Sequence, residues 1–181
     1  MPQYMVEPKS RRELRDLANA FRKAFGLENT LYIPIVELLD VLCFTLEGFN
    51  YEITPDNTFP PNIHGDTNIR TGLIRIKQSV YDGAVTGDGR DRMTIAHEVG
   101  HFLMLYTCGF QLQRNFDCKE IPAYMDPEWQ AKCFAGEFMI SRDLTIGMSS
   151  SEIIAACGVS KRAAQYQYRY RCRKRTARRK R

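Results

Sequence analysis

The sequence predicts an α+β protein in which a small sheet packs against helices, followed by a C-terminal helical region. Three observations predict it. Apolar residues recur at helical spacing in several separate stretches. Two short stretches, Phe44 to Ile53 and Leu73 to Lys77, alternate as strands do, and glycine- and proline-rich breaks separate these elements. At 181 residues and 44% hydrophobic content the chain fits one domain with an appendage.

Ser10 followed by Glu13 is a capping-box signature, and Leu14, Leu17, Ala18, Phe21 and Phe25 continue it as an amphipathic helix up to Gly26. Pro34 opens a second helix through Ile35, Val36, Leu38, Leu39, Val41 and Leu42. The stretch Thr54 to Asn68, with three prolines, reads as a loop, and Leu73, Ile74 and Ile76 interleave with Arg75 and Lys77 as a strand. Thr86 to Gly89 breaks the chain before a helix from Asp91 to Tyr106. Thr107 to Met125 has no sustained period and reads as a long surface segment. Asp126 and Pro127 cap a helix from Glu128 to about Ile140, and a last pair, Ser150 to Cys157 and Ser160 to Arg173, is joined at Gly158.

The chemistry centres on His97-Glu98-Val99-Gly100-His101, an H-E-x-x-H inside a helical stretch. Histidines four apart differ by about 40° around a helix, so both imidazoles leave one face and can hold one zinc ion. Glu98 beside them is placed to take a proton from a water that such an ion acidifies, the general-base role of a metallopeptidase. With three histidines and eleven glutamates in the chain, chance would supply the motif in roughly three such chains per thousand.

A catalytic zinc takes three protein ligands and leaves a position for water. The third-histidine continuation of one metallopeptidase class is absent, because Met104 and Thr107 occupy its glycine and histidine positions. Glu128 is the best candidate. Ala131, Ala135, Phe138 and Met139 fall within about 80° of it, on an apolar face able to lie close against another helix, whereas Glu137 points about 180° away and Cys133 about 140°. His64, Cys108 and Cys118 stay open as alternatives. Tyr124, just ahead of this helix, is a candidate oxyanion donor.

Residues Arg92 to His101, followed by Glu128 to Glu137, resemble the ImmA/IrrE family of zinc metallopeptidases over about residues 30 to 170. In that family the helix R-x-F-T-I-A-H-E-x-G-H supplies two histidine ligands and the catalytic glutamate, and the first Glu of E-x-x-A-N-x-F-A is the third ligand. The resemblance therefore implies a zincin-like metallopeptidase domain, a small mixed sheet packed against helices, with one zinc per chain on His97, His101 and Glu128, and Glu98 as catalytic residue. It also implies a specific protein substrate, a helix-turn-helix transcriptional repressor whose cleavage relieves repression. Three positions depart from the pattern: Met93 replaces Phe, Lys132 replaces Asn, and Ser141 stands where a proline usually follows the helix.

The net charge of +5 conceals two regions. Residues 161 to 181 hold 11 of the 26 Lys and Arg and no acid, leaving 15 basic against 21 acidic residues in 1 to 160, a balance of −6. Residues 171 to 181 are expected to form a disordered basic tail that could contact nucleic acid. A non-proteolytic regulator, binding DNA or a repressor through the last helix pair and this tail, is the competing reading. Six cysteines without a C-x-x-C pair indicate reduced thiols. The polar N-terminus and the lack of any run near ~18 apolar residues predict neither signal peptide nor membrane anchor, and a cytoplasmic protein.

Overall fold

The helix that carries the histidines, α4 (Gly89–Cys108), lies at the centre of an α+β architecture. The computed structural model describes residues 3–68, 70–108, 113–115 and 121–179. Among these are α1 (Arg11–Ala24), α2 (Ile35–Thr45), α3 (Gln78–Val85), α5 (Pro127–Met139), α6 (Ser150–Cys157) and α7 (Lys161–Arg179). A three-stranded mixed sheet is built from β2 (Asn50–Thr54), β3 (Gly65–Asn68) and β4 (Leu73–Lys77) in the order β2-β4-β3. β2 runs parallel to β4 and β3 antiparallel to it. A separate antiparallel pair joins β1 (Gln3–Met5) to β5 (Gln113–Asn115). No helix among the described residues is long and apolar enough to cross a membrane.

Burial explains why these elements pack as they do. α1 starts at the expected capping box, with Ser10 and Glu13 each bonding the other's backbone N–H. Its Leu14 and Ala18 are fully buried where α1 meets α5. On its other side α5 meets α4 through small groups. A Cβ on Gly100 would stand 3.2 Å from both the Ala131 carbonyl oxygen and the Phe134 ring, so glycine lets the two helices approach closely. Ile95, Ala96, Val99, Phe134, Ala135 and Phe138 fill the shared core. Arg92 is buried beneath it, donating to the carbonyls of Ile33 (2.6 Å) and Gly158 (2.9 Å) with its guanidinium over the Tyr32 ring. One side chain thus ties α4 to the segment before α2 and to the α6–α7 turn.

Several boundaries differ from the sequence reading. α2 continues through Thr45, which leaves Phe44 91% exposed on a helix, and the strand begins only at Asn50. The expected loop from Thr54 to Asn68 contains β3, whose Gly-Asp-Thr-Asn has no apolar alternation and forms through its ladder with β4. α3 occupies eight residues to which the sequence reading assigned no element, burying Val80 and Ala84 four positions apart. α7 runs to Arg179, past Arg173 where the sequence reading ended the last helix; nothing after Gly158 is a glycine or proline that would end it. Residues 180 and 181 lie outside the described residues.

Candidate metal centre

Two helices meet with their metal-ligating side chains converging. Asp88 caps α4 by accepting from the backbone N–H of Arg90 (2.8 Å) and Asp91 (3.0 Å), and two turns later His97 and His101 leave the helix on one side. Asp126 caps α5 by accepting from Glu128 N–H at 2.9 Å, with Pro127 in the first turn, which sets Glu128 at the end of α5 nearest the imidazoles. The Nε2 atoms of His97 and His101 are 3.1 Å apart. Glu128 Oε1 stands 3.1 Å from His101 Nε2, and Glu128 Oε2 3.4 Å from His97 Nε2. Hydrogen bonding with His101 first, and with His97 next, holds the Glu128 carboxyl well below the usual carboxylate range.

These three residues could hold a metal ion. Donor atoms about 2.0–2.1 Å from a tetrahedral ion stand about 3.3–3.4 Å from one another; the two imidazole nitrogens, 3.1 Å apart, are a little closer than that, and Glu128 presents one oxygen to each of them. The donor set, two imidazoles and a carboxylate, is one that zinc accepts with a position left open. His97 Nδ1 is buried with no hydrogen-bond partner among the described residues.

Glu98, on the same helix, is 6% exposed and lines the same cleft as the three ligand candidates. Thr67 on β3 fixes it: the hydroxyl is 2.8 Å from Glu98 Oε2 and 3.2 Å from the Glu98 carbonyl oxygen. β3 crosses closely here, since a Cβ on Gly65 would stand 3.4 Å from Glu98 Cγ and 2.9 Å from the Arg75 carbonyl oxygen. Nothing in Gly-Asp-Thr-Asn marks Thr67 as a partner of Glu98 in the sequence; only the strand pairing reveals it. The cleft is open, with a volume of about 1760 Å³.

The remaining candidates separate. Glu137 is buried on the opposite side of α5, paired with Arg11 (2.6 Å) and Arg15 (2.7 Å) of α1. Cys133 is buried, and burial pushes its thiol up to about 12. His64 lines the cleft but meets Arg90 Nη2 at 2.8 Å and is not grouped with the ligands. Cys118 lies outside the described residues, as does the side chain of Cys108. Tyr124 is half exposed and does not line the cleft; its carbonyl oxygen accepts from Gln130 Nε2 at 2.8 Å. Lys132, the residue that departs from the resembled pattern, stands 3.5 Å from Glu128 Oε2.

No family model matches the chain, and neither does any curated protein. Among solved structures, that of a Mycobacterium tuberculosis transcriptional regulator is similar, with a TM-score of 0.57 at 14% identity, over 84% of this chain and 45% of the other. The chain thus spans less than half the length of that regulator. The likeness is one of fold.

Proposed function

We propose that the chain is a zinc-dependent endopeptidase of the ImmA/IrrE type, with a zincin-like domain, that cleaves a helix-turn-helix transcriptional repressor and so relieves repression. The observation that carries this reading is the convergence of His97, His101 and Glu128 from two helices beside a buried Glu98 in one cleft. His97, His101 and Glu128 would hold the ion. When bound, zinc supplies a Lewis acid that polarises the scissile carbonyl and acidifies water. Glu98 takes the proton from the attacking water and delivers it to the leaving amine. Thr67 keeps that carboxylate aimed by bonding one of its oxygens. β3, at the edge of the sheet and on the cleft wall, offers backbone groups to an extended peptide.

That the similar solved chain is a transcriptional regulator fits a role in transcriptional control. The competing reading is a regulator that binds without cutting. The last helix pair bears on it: Ile153, Cys157, Val159 and Ala164 are buried in the common core, so much of the pair's apolar surface serves packing. The test is incubation of the zinc-loaded protein with a candidate repressor, read by mass spectrometry. Cleavage at one site, lost in Glu98→Gln, is expected; relief of repression in cells by that variant would favour the non-cutting regulator.

A further inference from the structure

Away from the metal centre the cleft is basic, although the body is not. Residues 1 to 160 carry 15 basic and 21 acidic side chains, yet Arg70, Arg90 and Lys132 from that stretch line the cleft, joined by Arg162 from the basic segment that follows. Apart from Glu98 and Glu128, the carboxylate on the wall among the described residues is Asp66, and Arg75 binds it through both its oxygens. Among the described residues no carboxylate lies within ion-pair distance of Arg70, Arg90 or Arg162. Neither acid nearest Arg90 in sequence comes within ion-pair distance of its guanidinium, which meets His64 Nε2 at 2.8 Å. Asp88 caps α4, and Asp91 turns towards α3, where a Cβ on Gly83 would meet its Oδ2 at 2.0 Å.

Two of these cations share a wall. A Cβ on Gly89 would stand 2.4 Å from the Val159 carbonyl carbon, so the start of α4 rests on the α6–α7 turn and sets the segments bearing Arg90 and Arg162 side by side. A further positive charge lies beneath. Arg11 and Arg15 share the single carboxylate of Glu137, which leaves that buried cluster one charge positive, and Arg11 Nη1 is buried with no acceptor among the described residues. A cleft with one sign of charge and low-dielectric walls concentrates ligands of the opposite sign.

We infer that the cleft selects an acidic polypeptide segment, with Arg90 and Arg162 as the residues that read Asp or Glu side chains flanking the scissile bond; this rests on the endopeptidase reading of the same site. Guanidinium forks pair with carboxylates through two parallel hydrogen bonds, and β3 gives the same segment a backbone edge to lie along. Polypeptide suits this combination better than nucleic acid, which has no use for an open strand edge.

The test is binding by fluorescence anisotropy of a labelled peptide alternating Glu and Leu, against its Gln and Leu counterpart, on the zinc-loaded full chain. The Glu peptide is expected to bind about tenfold more tightly, with the preference shrinking as salt rises and lost in the Arg90→Ala/Arg162→Ala double variant. Arg12→Ala, an exposed site on α1, should keep it, and Arg162→Glu should reverse it. Equal binding of the two peptides, or a preference that survives the double variant, overturns the inference. So does competition by a single-stranded oligonucleotide of equal charge at lower concentration than the Glu peptide. Acid-selective binding without cleavage of any candidate repressor would remove the protease reading and leave this one; cleavage of a repressor with no acid preference would do the reverse.

Discussion

Glu128 and Glu137 stand on one helix nine positions apart and meet opposite fates. The first faces two imidazoles across the cleft, and the second is buried between two arginines of α1. Zinc content should therefore fall from about one per chain to near zero in Glu128→Ala, as in His97→Ala, while folded Glu137→Gln keeps its metal. Metal analysis of the three purified variants checks this. Glu137→Gln should instead cost stability, about 3–5 kcal/mol, because the buried Arg11 and the partly buried Arg15 lose their counter-charge. Burial pushes the Glu137 carboxyl up, but the hydrogen bonds and charges of Arg15 and Arg11 outweigh it and hold the group below its usual range. A folded-state pKa below the unfolded value of about 4.3 contributes stability above that pH and loses it as pH falls through the folded value. Urea denaturation at neutral and acid pH should show wild type losing more stability on acidification than Glu137→Gln does. The opposite orientations of the two glutamates were legible from helical angle alone. The partners of Glu137 were not, since Arg11 and Arg15 are over a hundred residues away.

Among the elements, those legible in the sequence carry their own local signals: the Ser10 and Glu13 box, Pro34, the Asp126 and Pro127 cap, and Gly158 at the end of α6. β3 and α3 carry none. β3 is polar throughout and exists because β4 pairs with it, and α3 is too short for a period to stand out. That is also why Thr67, which holds Glu98, escaped notice. Gly158 has φ +59°, and an added Cβ would stand 2.2 Å from the Tyr32 ring. Gly158→Ala should therefore lower stability by about 1–3 kcal/mol, and by more if Tyr32 cannot yield. Thermal melts would show it. Because Arg92 donates to the Gly158 carbonyl, the loss should spread to α4 and appear as faster hydrogen exchange there.

For the molecule as a whole, charge is divided between an acidic body, a basic cleft and a basic last helix. Removing residues 171 to 181 should weaken binding to nucleic acid, most at low salt, while leaving the melting of the body unchanged. Anisotropy across a salt series checks it, and unchanged binding would discard a role for this segment. The division at residue 160 was readable as composition, but the cleft's sign was not. It arises because Arg70, Arg90 and Arg162, far apart in the chain, come to one cavity while Arg75 binds Asp66, Asp88 caps α4 and Asp91 turns towards α3. The proposed activity itself rests on one carboxylate and three ligands with separable duties. The most direct measurement compares zinc content and repressor cleavage for wild type and Glu98→Gln in the same preparation. Glutamine keeps the side chain's size but cannot accept the proton, so the variant should hold about one zinc per chain and leave the repressor intact, while wild type cuts it at one site. Equal cleavage by the zinc-loaded variant would contradict the role given to Glu98, and an intact repressor with zinc-loaded wild type would contradict the protease assignment for that partner.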